Sequence, residues 1–236
     1  MRSVALIAAT AWSLPAAAAH VPVLARGCAI GRRARLDDAV ALTFDDGPHP
    51  LGTPAVLEIL ARQGARATFF VVGEQVRRTG SLMGEIVAAG HTVALHGDRH
   101  RCVLRLTPGA LRDDLDRLVE TVGDAATPGL HRAPYGAYST VSLLELRRRG
   151  WTPLLWSRWG RDWRRGATAR SVRDDVTRDL GAGDVLLLHD ADDYSAPGSW
   201  ATTVAALPSV LERIAQAGLR AEAVTAAQVS LGGAGR

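Results

Sequence analysis

From residue 39 onward, continuous apolar runs alternate with stretches whose apolar residues recur at helical spacing. The runs at 39–44, 67–72, 92–95, 130–132, 151–156, 184–188 and 219–224 predict seven strands. Between them, 53–63, 81–89, 108–122, 139–149, 171–180 and 204–217 predict six helices. Gly64, Gly90, Gly150 and Gly218 follow four of these helices in the C-cap position, and Pro108 takes a first helical turn after Thr107. Strand runs without polar alternation suit a parallel sheet buried on both faces. No glycine-rich dinucleotide loop follows the first strand, so a closed or nearly closed (β/α)7 TIM-like barrel is expected rather than an open sheet. The barrel domain is expected over 37–227, preceded by an N-terminal segment, 1–36, and followed by a flexible glycine-rich tail, 228–236.

The N-terminal segment has two readings. Arg2, the apolar run 3–14 and the small residues 16–19 make a passable signal peptide over 1–19, which predicts a secreted or cell-envelope protein. The alternative is an alanine-rich helix, broken at Pro15 and packed under the barrel of a cytoplasmic protein. The run is too short and interrupted to span a bilayer, so no membrane span is expected.

A length of 236 residues suits one domain with a substantial core, and 47% hydrophobic against 22% charged residues excludes disorder. The net charge of +4 comes from arginines that are scattered and interleaved with acids along the helices. Arg147-Arg148-Arg149 and the basic stretch 161–165 therefore read as solvated faces, and no nucleic-acid partner is expected. Cys28 and Cys102 show no metal-ribbon spacing, and their pairing is left open by the sequence.

Ionisable residues concentrate where the predicted strands end: Asp45-Asp46, His96 and His100, Arg132, Asp162 and His189. In a (β/α) barrel these ends share one face, the face that carries catalysis. Aspartate pairs begin at 37, 45, 113, 174 and 192, but only the pair at 45 directly follows a buried run and precedes a Gly-Pro turn. Two adjacent carboxylates in a dry site raise each other's pKa unless a cation neutralises one. Two imidazoles, His96 and His100, with one carboxylate match a three-ligand catalytic zinc set. His49 is expected to line the same cleft, whereas His20, His91 and His131 read as structural or exposed.

These residues resemble the polysaccharide deacetylases of the NodB-homology group, carbohydrate esterase family 4, over residues 39–225. Thr43-Phe44-Asp45-Asp46-Gly47 is similar to the family's first motif, His96-Gly97-Asp98-Arg99-His100 to the second, and Arg132-Ala133-Pro134-Tyr135 to the third. Asp162-Trp163 and Leu187-Leu188-His189-Asp190 are similar to the fourth and fifth, all in the family's order. The resemblance implies a distorted (β/α)7 barrel whose Asp46, His96 and His100 bind a divalent metal, usually Zn(2+), with Co(2+) used by some members. It implies Asp45 as general base, Arg132 orienting it, Asp162 supporting Arg132, and His189 as general acid. It further implies the Tyr135 backbone N–H at the oxyanion and Leu187 against the acetyl methyl, while Trp159 and Trp163 offer surfaces on which sugar rings stack. Two departures stand out: Gly97 replaces a usual Ser or Thr, and Trp159 replaces a usual acidic residue.

The expected activity is metal-dependent hydrolysis of N-acetyl groups on amino-sugar polymers or oligomers of the chitin or peptidoglycan type, by a monomer. Removal of O-acetyl groups, as in acetylxylan esterases, or deacylation of a small acetylated glycoside is the alternative. An inactive glycan-binding barrel is the alternative of another class, opposed by the presence of base, acid and all three ligands.

Overall fold

The computed structural model describes residues 12–126 and 129–231. Leu14–Ala19 forms a 3-10 helix and Pro22–Gly27 a short helix, α1. The strands and helices that follow are β1 (Arg33–Ala34), β2 (Ala39–Asp45), α2 (Gly52–Gln63), β3 (Thr68–Val71), α3 (Gly73–Thr79), α4 (Leu82–Ala88), β4 (Thr92–Leu95) and α5 (Pro108–Val122). Then come β5 (Leu130–His131), α6 (Thr140–Arg148), β6 (Thr152–Pro153), β7 (Arg158–Trp159), α7 (Ala169–Val176), β8 (Val185–His189), α8 (Ser199–Gln216), β9 (Arg220–Glu222) and β10 (Val229–Ser230).

The main sheet is parallel throughout and runs β6-β5-β4-β3-β2-β8-β7, with β9 paired to the start of β2. It curls into a distorted (β/α)7 barrel that stays open between β6 and β7. The predicted fifth strand, 151–156, breaks at this opening. Leu154 still donates its N–H to His131, but Leu155 donates to Gly31 and Ser157 to Val185, so the chain crosses from one sheet edge to the other. Gly31 wedges into the gap, where an added Cβ would lie 2.1 Å from a Val229 methyl. Residues 31–34 are thus stitched into the barrel, with β1 paired to β10. Val229 and Ser230, assigned to the tail from sequence, form that last strand instead.

Strand parity decides what faces the interior. Along β2, Val40, Leu42 and Phe44 join the layer under the helices, while Ala41 joins the second cluster inside the barrel. On β8 the same division sends Leu186 and Leu188 outward, and Val185 and Leu187 inward. Successive strand side chains point to opposite faces, so Thr43 and Asp45 share the interior parity of Ala41, and His189 that of Leu187. Small interior residues such as Ala41 and Ala94 leave room for the fully buried Arg132, whose guanidinium lies 4.0 Å from the Phe70 ring centroid.

Ala18 and Ala19 are buried in the inner cluster, and Arg32 donates to both of their carbonyls at 2.8 and 2.7 Å. Most of the apolar run 3–14 lies outside the described residues. Among the described residues no helix is long and apolar enough to cross a membrane. Cys28 and Cys102 are both free thiols.

Candidate active site

Asp45 ends β2 and His189 ends β8, and the two are register partners on adjacent parallel strands. Their shared parity sends both side chains to the same cleft. Asp45, Asp46, His96, His100, Tyr135, Trp156, Trp159, Trp163, Leu187, His189, Tyr194 and Ser195 line one cavity of about 260 Å³ together with Gly136. The convergence expected from strand ends is therefore met by residues from five separate strand–loop junctions.

Arg132 fixes Asp45. Its Nη1 donates to Asp45 Oδ1 at 2.6 Å and to the Thr43 hydroxyl at 2.9 Å, while Nε and Nη2 donate to the Leu154 and Leu155 carbonyls. A fully buried guanidinium is tolerated only when paired and hydrogen-bonded in this manner. Asp162 does not take part. Its Oδ1 lies 2.8 Å from His189 Nδ1, and its Oδ2 accepts from the His189 backbone N–H and from the Thr203 hydroxyl. The expected support of Arg132 by Asp162 is corrected accordingly: backbone carbonyls hold the arginine, and Asp162 holds the histidine. With Nδ1 engaged, His189 Nε2 is left for the cleft.

Burial opposes charge on His189, but the Asp162 carboxylate, with Asp46 and Asp45 nearby, pushes its pKa up to about 10. Burial likewise opposes charge on Asp46, yet the imidazoles of His100, His96 and His189 hold its carboxyl well below the usual carboxylate range.

The metal question turns on Asp46, His96 and His100, whose ligand atoms lie within 4.8 Å of one another. Asp46 Oδ1 lies 3.3 Å from His96 Nε2 and 3.2 Å from His100 Nε2. These contacts lack hydrogen-bond geometry, leaving Asp46 Oδ1 a buried atom without a hydrogen-bond partner among the described residues. One orphaned carboxylate oxygen facing two imidazole nitrogens fits a divalent cation of the zinc type. His96 shows the supporting contact usual for such a ligand, its Nδ1 standing 2.8 Å from the Arg132 carbonyl oxygen, which leaves Nε2 as the nitrogen that faces Asp46.

Two loop residues adopt positive φ here without being glycine: Asp46 at 78° and Tyr135 at 61°. Such conformations are uphill for L-residues and persist where the surroundings hold them. At Gly97 the φ of 92° explains one motif departure, because an added Cβ would come 3.0 Å from the Arg99 carbonyl oxygen. The loop is steadied instead by Asp114, which accepts from the Asp98 N–H at 2.8 Å, and by backbone bonds from Gly73 and Glu74 to Gly97 and Asp98.

The second departure, Trp159, belongs to an aromatic wall. Its ring stacks on Trp156 at 5.5 Å between centroids and leans on Trp163 at 5.3 Å, which in turn meets His189 edge-on at 5.5 Å. Leu187 is the register partner of Trp159.

His49 does not line the cavity. Its Nδ1 accepts from the Leu51 and Gly52 N–H groups, so its proton sits on Nε2, 3.5 Å from Asp192. Although His49, Asp192 and Asp193 have metal-ligand spacing, that Nε2–H offers no lone pair, and Asp193 is gripped by Arg78 at 2.6 and 2.9 Å. His49 is a turn-holding residue. His91 and His131 are buried away from the cleft, and His20 is exposed, edge-on to Trp159.

Tyr194 and Ser195 were not singled out from sequence. Their signal was faint: one aromatic residue in the polar loop that follows the His189 strand end.

The family model described as polysaccharide deacetylase matches residues 32–154. A chitooligosaccharide deacetylase from Bradyrhizobium sp. (strain ANU 289) is 37% identical over 155 residues, covering 64% of this chain and 70% of that protein. A peptidoglycan-N-acetylglucosamine deacetylase from Bacillus cereus is 32% identical over 184 residues, covering 77% and 84%. Among solved structures, a family 4 carbohydrate esterase from Streptomyces lividans in complex with acetate superposes with a TM-score of 0.73 at 29% identity, over 83% of this chain and 97% of that one. With the motif residues gathered on one barrel face and these likenesses spanning most of the chain, the protein belongs to the polysaccharide deacetylase family of hydrolases, which act on carbon–nitrogen bonds other than peptide bonds.

Proposed function

We propose that the chain removes N-acetyl groups from amino-sugar glycans of the chitooligosaccharide or peptidoglycan type, with a divalent metal, Zn(2+) or Co(2+), held by Asp46, His96 and His100. The observation that carries this reading is the in-register pairing of Asp45 with His189 at one cleft wall. Amide hydrolysis needs a base for the attacking water and an acid for the departing amine, and these two must differ in protonation at one pH. Asp45, hydrogen-bonded by Arg132, accepts the water proton. His189, whose pKa near 10 keeps it protonated at neutral pH, donates from Nε2 to the amine nitrogen. When bound, the metal lowers the pKa of water to roughly 7 and polarises the acetyl carbonyl. The backbone N–H of Tyr135, on a loop bent through positive φ, is assigned to the carbonyl oxygen as negative charge develops there. Leu187 is assigned to the acetyl methyl, and Trp159 and Trp163 to the sugar face.

Acetate release tests the reading. N-acetylated chitooligosaccharides and peptidoglycan fragments should be deacetylated, activity should vanish with chelator, and zinc or cobalt should restore it. Release from acetylxylan with none from N-acetylated glycans would replace the reading by the O-acetyl esterase alternative.

A further inference from the structure

The two histidines that face Asp46 are held by different means. His96 has the hydrogen-bonded Nδ1 that a ligating imidazole ordinarily shows. His100 does not: its Nδ1 is buried and has no hydrogen-bond partner among the described residues. Its ring is instead sandwiched. Tyr194 lies parallel to it at 4.3 Å between centroids and 11° between planes, and Tyr135 meets it edge-on at 4.5 Å and 63°.

Tyr194 is itself anchored. Its hydroxyl donates to Glu74 Oε1 at 2.6 Å and accepts from Gln75 Nε2 at 2.8 Å, both at the start of α3. The loop that carries it is pinned on either side, by Arg78 on Asp193 and by the Ala196 N–H on the Trp163 carbonyl. Parallel faces at this separation fix a ring's tilt but leave it free of a tautomer-setting bond. Glu74 is also bonded through its N–H to the Asp98 carbonyl, inside the loop that presents His100, so the anchor of Tyr194 is tied directly to that loop.

We propose that Tyr194 is the positioning residue for His100, setting the imidazole plane toward the metal by stacking in place of the missing hydrogen bond. The proposal rests on Asp46, His96 and His100 being the metal ligands. It also makes the loop 191–198 part of the metal site, although the last of the five family motifs ends at Asp190.

Metal affinity, measured by zinc competition against a chromophoric chelator on the purified full chain, tests this without recourse to turnover. Tyr194→Phe keeps the ring and should bind zinc within about 2-fold of wild type. Tyr194→Leu fills the space without a ring and should bind about 10- to 100-fold more weakly, the range seen when supporting contacts of a ligating histidine are removed. Tyr194→Ala should fall at least as far. Circular dichroism of the metal-free variants confirms folding, and Tyr194→Leu keeps the comparison available should the alanine variant not fold. Zinc affinity of Tyr194→Leu equal to wild type overturns the proposal. So does Tyr194→Phe binding as weakly as Tyr194→Leu, which would assign the effect to the hydroxyl network. Failure of the wild-type protein itself to bind zinc, with Asp46→Ala no different, would instead overturn the ligand assignment on which the proposal stands.

Discussion

Asp162 grips His189 twice, through the Nδ1 of its ring at 2.8 Å and through its backbone N–H at 2.7 Å. One carboxylate thereby fixes both the position of the β8 end and the orientation of the imidazole. It is also the main influence that overcomes burial and lifts the His189 pKa to about 10. Asp162→Asn should lower that pKa toward the ordinary value of 6.5, visible by NMR titration of the imidazole in the metal-free protein. Turnover should fall by about 10²-fold or more, the usual contribution of a positioned proton donor. The linkage has a definite sign. A histidine with a raised folded pKa contributes stability that is complete below pH 6.5 and is lost as pH climbs through about 10. Urea unfolding of the metal-free protein between pH 6 and 10 should show this decline, flattened in Asp162→Asn.

Arg132 and Asp45 form the opposite kind of pair, both buried and bonded at 2.6 Å. Breaking a buried pair by removing one partner costs about 3–5 kcal/mol because the other charge is left without compensation. Arg132→Met should therefore lose stability of that order in urea, despite adding apolar volume. Asp45→Asn keeps a hydrogen-bond acceptor for Nη1 but leaves the buried Arg132 charge without its carboxylate, so it too should lose stability in urea, and it should lose turnover by about 10²- to 10⁴-fold. Equal turnover in Asp45→Asn and wild type, each loaded with metal, would remove Asp45 from the base role.

The strand ends were legible because the signal was local. An apolar run such as 39–44 followed at once by two carboxylates locates both a buried strand and the chemistry at its tip. What each side chain bonds was not legible. Asp162 and Arg132 lie 30 positions apart, and only the crossing of the chain at residues 154–157 decides that Asp162 meets His189 while backbone carbonyls receive the guanidinium. The helix α3 escaped notice for a different reason: seven residues beginning with glycine carry too few apolar positions to show a period. Helix α8 begins at Ser199, earlier than the predicted 204, because the residues its first turn buries, Ser199 and Thr203, are polar. The register of Gly31 in the barrel gap is a long-range effect with no local pattern at all.

Gly97 bears on whether the second motif is impaired by its departure from the family pattern. Restoring a hydroxyl at this position should not strengthen the loop, because the φ of 92° and the 3.0 Å approach to the Arg99 carbonyl both disfavour a side chain. Gly97→Ser is expected to lower stability by about 1–3 kcal/mol, the range for a non-glycine residue held in such a conformation, and to weaken zinc binding through His96 and His100. Removing the substitute support, by Asp114→Asn, should weaken zinc binding in the same direction. A Gly97→Ser protein more stable than wild type in urea would show that the loop relaxes into the pattern of its relatives.

Acid stability tests the buried histidines outside the cleft. Burial, with the charge of Arg66, lowers His91 to about 4, and burial, with His96 and Arg149, lowers His131 to about 3. Both fold as neutral rings, so the unfolded chain binds protons first and stability drops as pH falls below 6.5. Asp190 acts in the other direction: burial raises its carboxyl to about 7, so the folded chain takes up that proton first, and stability rises as pH falls from 7 toward 3.8. Glu145, held down to about 2 by Arg148 and Arg149 against the opposing effect of burial, keeps its full stabilising contribution above pH 4.5 and loses it only as pH falls from 4.5 toward 2. Between pH 4.5 and 6.5 two histidines thus oppose one aspartate, a net difference of about one proton or about 1.4 kcal/mol per pH unit. Urea unfolding across that window should show this shallow loss in wild type. His131→Asn removes one of the two histidine contributions and should flatten the profile, whereas Asp190→Asn removes the counterweight and should steepen it. A wild-type profile that is flat and stays flat in Asp190→Asn would mean that His91 and His131 protonate without unfolding the barrel.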